Sequence, residues 1–282
     1  MIVSEGLFAD APAPAVQTHR ADQVTIEIGK LAIALQTKND RFRELLESRY
    51  AGFVNPSAQP QFCFDVHIIR QRPDADVPEV IVRRESGNWR VERGDFCASW
   101  SEATHSGWVR QSCNPYSIDT LLRIVHSIAL AEEGSFLVHS SSAIRHGRAF
   151  LFAGVSGAGK TTMARLAPCD ATLLTDEMSY VCREAGGYRA YGTPFAGELA
   201  RPGENTSAPL AEIYLLAQGP ENRIEDVPTA EAARGFLRHI LFLTQEEKLV
   251  QQVFRSALEF VSAVPVRRLT FTKDSRAWEL IQ

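Results

Sequence analysis

At 282 residues and 45% hydrophobic content, the chain can form one large domain or two modest ones with their own cores, which excludes a disordered polymer and a mini-protein scaffold. Thirty Lys and Arg against 34 Asp and Glu leave a net charge of −4, so there is no sequence-wide positive excess for a polyanion and no nucleic-acid partner is expected. No apolar stretch approaches the ~20 residues of a membrane helix, and MIVSEGLFADAPAPA has neither a basic start nor an apolar signal core; a cytoplasmic protein without membrane contact is expected.

Residues 1–22, with Pro12 and Pro14 among alanines, show no periodicity and read as a loose arm. Residues 23–116 read as a smaller α+β region. Val24, Ile26 and Ile28, then Gly29-Lys30, then Leu31, Ile33 and Leu35 alternate as two strands around a glycine turn. Asp40 precedes Phe42, Leu45, Leu46 and Tyr50 at helical spacing, with a stop at Gly52. Short β-like runs at 62–69, 80–85, 88–93 and 96–100 follow, which suggests an antiparallel sheet carrying one helix. His67 and His105 lack partners at ligand spacing, and Trp100 and Trp108 suit a core. The five cysteines, 63, 97, 113, 169 and 182, are odd in number and form no C-x-x-C pair, so they read as small buried hydrophobes.

Pro115 and Ser117 open an apolar helix that stops at Gly134. From 117 to 282 the elements alternate as in a mixed α/β sheet covered by helices. Strands are expected at 136–144, 150–153, 171–175, 179–182, 188–191, 211–217 and 268–271. Helices are expected after residue 160 up to Pro168, at 229–243 and at 246–261, with a last short one capped by Asp274-Ser275.

The chemistry is concentrated around Gly154-Val155-Ser156-Gly157-Ala158-Gly159-Lys160-Thr161, a full match to G-x-x-x-x-G-K-[ST], which lies between an apolar strand and a helix. Glycines allow successive N–H groups to converge on a phosphate, Lys160 brings a positive charge to the β and γ oxygens, and the Thr161 hydroxyl suits Mg²⁺. Ser156, Ala158 and Thr162 complete the expected nucleotide-binding set. Lysine is scarce, five against 25 arginines, so its presence at the one position that needs it is not a product of composition. The strand 136–144 is joined to the loop strand by Arg145-His146-Gly147-Arg148, a link short enough to force an antiparallel pair. Downstream, a strand ends at Asp176-Glu177, two carboxylates that can hold Mg²⁺ and take a proton from an attacking hydroxyl. The stretch Tyr191 to Glu198 suits a substrate loop or an ordinary turn, with Glu198 and Arg201 as weaker candidates.

His139, the hairpin, GVSGAGKT and Leu174-Thr175-Asp176-Glu177 together resemble the catalytic domain of the HPr kinase/phosphorylase family, relatives of the phosphoenolpyruvate carboxykinase fold. The resemblance covers roughly residues 134–200 and departs from the family in having Glu177 where the family has an Asp, and in lacking the later Arg-Gly-rich signature. It implies an α/β, mixed-sheet P-loop domain of that type, and transfer of the γ-phosphoryl group of ATP to a serine hydroxyl with Mg²⁺. It also implies roles: Asp176 as base, Glu177 and Thr161 as metal contacts, Lys160 on the nucleotide, and His139 as the family histidine on the preceding strand. ATP is the expected nucleotide, with GTP an open alternative. The expected partners are a serine-bearing peptide, protein or small-molecule acceptor, and a homo-oligomer is an option. On this reading Asp176→Asn retains nucleotide affinity and loses transfer. The competing reading is a nucleotide-gated binding module or slow NTPase without an acceptor.

Overall fold

The computed structural model describes residues 22–69 and 79–282; the expected arm therefore lies almost wholly outside the described residues. The chain is a mixed α/β protein with two mixed sheets and more strand than helix among the described residues, and it divides into two compact units. The first takes residues up to Glu27, Leu31–Leu122 and Leu243–Glu246; the second takes Ile28–Lys30, Arg123–Phe242 and Glu247–Gln282.

The first unit contains β1 (Gln23–Ile28), β2 (Leu31–Gln36), α1 (Asp40–Arg49), β3 (Phe62–Ile68), β4 (Ile81–Glu85), β5 (Asn88–Arg93), β6 (Phe96–Ser101) and β7 (Ser106–Gln111). The sheet order is β1-β2-β3-β7-β6-β5-β4. An all-antiparallel sheet is expected from the sequence, but β3 is parallel to both β2 and β7. The reason is α1: it fills a crossover connection between β2 and β3, and only a long link of that kind lets consecutive strands run the same way. Asn39 caps α1 by accepting from the Phe42 amide at 2.9 Å, and Phe42 and Leu46 form its buried stripe. Strand β7 was hidden by its polar, glycine-containing sequence. Trp100 stacks on Trp89 in the core, with ring centroids 6.2 Å apart, while His105 stacks on Phe62. Cys97 and Cys182 are buried as expected, but Cys113 and Cys169 are exposed because they sit in loops.

Helix α2 (Pro115–Glu132) starts where Asn114 accepts from the amides of Tyr116 and Ser117, with Pro115 at the first helical position. It ends at Gly134, whose φ of 68° closes the last turn.

The second unit is built on β8 (Phe136–Arg145), β9 (Arg148–Ala153), β10 (Thr172–Thr175), β11 (Met178–Glu184), β12 (Gly187–Tyr191), β13 (Ser207–Gln218), β14 (Arg223–Asp226) and β15 (Val266–Phe271). Strands β8 and β9 are antiparallel around His146-Gly147, both at positive φ, as a two-residue turn demands. Strand β9 then runs parallel to β13, and β13 parallel to β15. The pairings β8-β9, β9-β13, β13-β12, β12-β11 and β11-β8 form a closed circuit. Alternation along β9 sends Leu151 and Ala153 to one core and Phe150 and Phe152 to the other. The first core is covered by α4 (Thr229–Leu237) and α5 (Glu247–Ala263), where Phe236 stacks on Phe260 at 4.2 Å and both meet Phe136 edge-on. The second is covered by α3 (Lys160–Arg165) and a 3-10 turn at Ser275–Leu280 that brings in Trp278.

Two helices differ from expectation. The helix expected over 229–243 stops at Leu237, because His239 and Leu241 instead bond the open edge of β8, through His139 N–H to His239 O and Leu241 N–H to Leu137 O, each 2.7 Å. The helix after the glycine loop ends at Arg165 rather than at Pro168. Among the described residues no helix is long and apolar enough to cross a membrane.

Candidate active site

The glycine loop leaves the end of β9 and enters α3. Gly159 has a φ of 115°, and a Cβ there would lie 2.4 Å from the Phe271 ring; a Cβ on Gly154 would lie 2.6 Å from that of Ala158. The loop is anchored from outside by Gln218, which donates to Gly157 O at 2.7 Å, and by Ser141, which donates to Lys160 O at 3.0 Å. Its tip, Val155 to Gly157, is open to solvent. Among the described residues, the side chains of Ser156, Thr161 and Thr162 show no hydrogen bond to protein.

Lys160 is buried, and its ammonium donates to Gly154 O at 2.8 Å and Val155 O at 3.4 Å. No carboxylate lies within ion-pair distance of it among the described residues. Burial pushes its pKa below the usual lysine value, while the fields of Glu177 and Glu198 oppose that shift.

The two expected acids sit in different surroundings. Asp176 is 2% exposed, and its two oxygens accept from the amides of Gly197 and Leu199, each at 2.8 Å. It therefore clamps the loop that returns from β12, instead of standing free to face an acceptor. Glu177 is the open acid, with Oε1 3.6 Å from Arg123 and Oε2 3.9 Å from His139 Nε2. Desolvation lowers the His139 pKa, helped by Lys160 and Arg123 and opposed by Glu177, so folding favours its uncharged form. Lys160, His139 and Glu177 thus form one electrostatic group. Ser140, Ser142 and Ser179 are buried and bonded to one another through Ser179 Oγ, at 2.8 and 2.9 Å.

The stretch 192–204 is laid against β10. Thr193 N–H donates to Leu174 O at 3.1 Å and Glu204 N–H to Leu173 O at 3.0 Å, and Thr175 Oγ donates to Phe195 O at 3.3 Å. Arg201 is exposed. Phe195 supports Arg123, whose guanidinium lies 5.0 Å from the ring centroid. Arg123 and His239 escaped the sequence reading: one is a single arginine in an apolar helix, and the other lay in what read as the end of a helix. His239 is pushed down to about 4 by burial and by the positive fields of Lys160, His139 and Arg238.

Among the described residues no group of three or more His, Cys, Asp or Glu side chains could hold a metal by itself. The donor set fits Mg²⁺ in company with phosphate oxygens: the Thr161 hydroxyl has no other protein bond, and Glu177 has a half-exposed carboxylate. Asp176, with both oxygens engaged by amides, is a poorer metal donor.

Comparison with known proteins corrects the family expected from the sequence. No curated protein matches the chain. A family model described as SynChlorMet cassette protein ScmC matches residues 110–282, a span that contains every residue on which the resemblance to HPr kinases rested. That resemblance is overturned, and the fold type named with it loses its support. A glycine loop followed by two acids is shared by proteins of many families and cannot assign one. The matched span is more than half of the chain, and the protein belongs to the family of SynChlorMet cassette protein ScmC.

Proposed function

We propose that the second unit is a Mg²⁺- and nucleotide-dependent phosphotransferase that moves the γ-phosphoryl group of ATP to a serine-type hydroxyl, with residues 154–162 as its phosphate-binding loop. The observation that carries this reading is the buried Lys160 ammonium, held by two loop carbonyls with no ion-pairing carboxylate among the described residues. A buried charge without a counter-ion is costly, and a triphosphate at the loop mouth supplies the missing anion. With α3 only six residues long, loop amides and Lys160 contribute more than a helix dipole.

Thr161 and Glu177 would hold Mg²⁺, which when bound neutralises charge on the β and γ oxygens. Phosphoryl transfer needs positioning more than covalent help. His139 is the group placed to take the acceptor's proton, and Arg123 orients Glu177 for the metal. Asp176 acts one step removed, by fixing the backbone at Gly197 and Leu199, with Gly197 held beside Glu177.

The test is calorimetry with Mg-ATP and Mg-GTP on wild type and Lys160→Ala, followed by transfer of labelled γ-phosphate to hydroxyl metabolites and peptides. Binding that is lost in Lys160→Ala, with transfer lost in Glu177→Gln, is expected. Absence of nucleotide binding in wild type overturns the reading. Phosphate release without transfer favours the gated-module alternative.

A further inference from the structure

Beside the glycine loop, within the second unit, lies a cavity of about 400 Å³ bounded by Gly154, Val155, Leu215, Arg234, Arg238 and His239. Its size suits a small molecule of a few carbon units carrying polar groups. Two of its walls, Gly154 and Val155, are the residues whose carbonyls hold the Lys160 ammonium. The cavity thus opens at the lysine end of the loop, the end where a terminal phosphate meets Lys160.

The charge on its walls is lopsided. Arg234 and Arg238 are four residues apart on the last turn of α4 and its C-cap, so they share a face, and both are exposed. Among the described residues neither guanidinium has an ion pair or a side-chain hydrogen bond. The one acid on the cavity wall, Glu231, is already paired with Arg268. Like charges at this spacing are mutually unfavourable unless an anion lies between them. Their proximity to a helix C-terminus would account for one cation by dipole alone, but no hydrogen bond ties either side chain to a terminal carbonyl. The sheet below has been fitted to bring this helix close: a Cβ on Gly235 would lie 2.5 Å from Leu215.

We infer that this cavity is the acceptor subsite, and that Arg234 and Arg238 hold an anionic group, a carboxylate or a phosphate, on the small molecule whose hydroxyl is phosphorylated. The inference rests on the phosphotransfer reading above. In the step it serves, the acceptor oxygen forms a bond to the γ-phosphorus and the bond from that phosphorus to the β–γ bridging oxygen breaks. ADP leaves, and the hydroxyl proton passes to the imidazole of His139. Guanidinium forks match planar or tetrahedral oxyanions in two-point contact, which would fix the hydroxyl's direction.

The experiment titrates protein saturated with the Mg²⁺ complex of a non-hydrolysable ATP analogue, which fills the loop, with inorganic phosphate and separately with acetate. Millimolar binding of at least one anion is expected, weakened at least tenfold in Arg234→Gln/Arg238→Gln and largely kept in Arg234→Lys/Arg238→Lys. Arg255→Gln, an exposed arginine on α5, should leave it unchanged. Preference for phosphate assigns a phosphate-bearing acceptor, and preference for acetate a carboxylate-bearing one. No binding of either anion, or equal binding in the double Gln variant, overturns the inference. If the analogue itself fails to bind, the phosphotransfer reading fails, and titration of Lys160→Ala without nucleotide then tests the arginine pair alone.

Discussion

Replacing Asp176 by Asn separates two roles that the sequence alone cannot tell apart. In the folded protein each carboxylate oxygen accepts one backbone amide, Gly197 N–H and Leu199 N–H, at 2.8 Å, and the side chain is 2% exposed. Asparagine is isosteric but keeps one acceptor oxygen; its NH₂ would face the second amide, donor against donor. A hydrogen bond to a charged acceptor is worth about 1.5–3 kcal/mol, and a buried unpaired donor costs about 1–3 kcal/mol. Losing one bond outright and the charge on the other gives a destabilisation of about 2–4 kcal/mol. At about 2–4 °C per kcal/mol for folding units of this general size, the melting temperature should fall by about 4–16 °C. Locally, amide exchange at Gly197 and Leu199 should accelerate by at least about thirtyfold, since each 1.4 kcal/mol is a factor of about ten. Thermal unfolding and hydrogen exchange over residues 192–204 check both. An Asp176→Asn variant that melts and exchanges like wild type while losing transfer would refute the clamp and return Asp176 to the role of base.

Lys160→Met should abolish nucleotide-dependent stabilisation. Wild type at a ligand concentration of 100 Kd gains about 2.7 kcal/mol, a rise of about 5–11 °C that thermal shift with Mg-ATP would show and the variant would lack. Because folding lowers the Lys160 pKa, the unfolded chain holds the proton more tightly; nucleotide-free wild type should therefore gain stability relative to Lys160→Met as pH rises toward 10.5, read by denaturant titrations across pH. Gly159→Ala meets both a φ of 115° and the Phe271 ring, so a loss of about 2–4 kcal/mol in chemical denaturation, together with loss of nucleotide binding, is expected. His239 is held down to about 4, so the unfolded state takes up its proton first as pH falls; stability should drop between about pH 6.5 and 4, and His239→Phe should flatten that part of the profile.

Local pattern is enough to locate the loop, the β8–β9 hairpin and most strands, because each depends on neighbours in the chain: a glycine where φ is positive at 147 and 159, and alternation along β9. The scarcity of lysine made Lys160 conspicuous for the same reason. What lay beyond the sequence was set by partners far along the chain. Asp176 and Glu177 are adjacent carboxylates of like chemistry, and only the return of 197–199 decides which is buried in amides and which is left facing His139 and Arg123. The end of α4 at Leu237 follows from an unpaired edge on β8 almost a hundred residues earlier, which outbids the local helical preference of 238–243. The same turn of chain puts Arg234, Arg238 and His239 at the mouth of the glycine loop. Residue type specifies what a side chain can do, whereas burial and long-range hydrogen bonding, which no spacing rule encodes, decide which of them is free to do it.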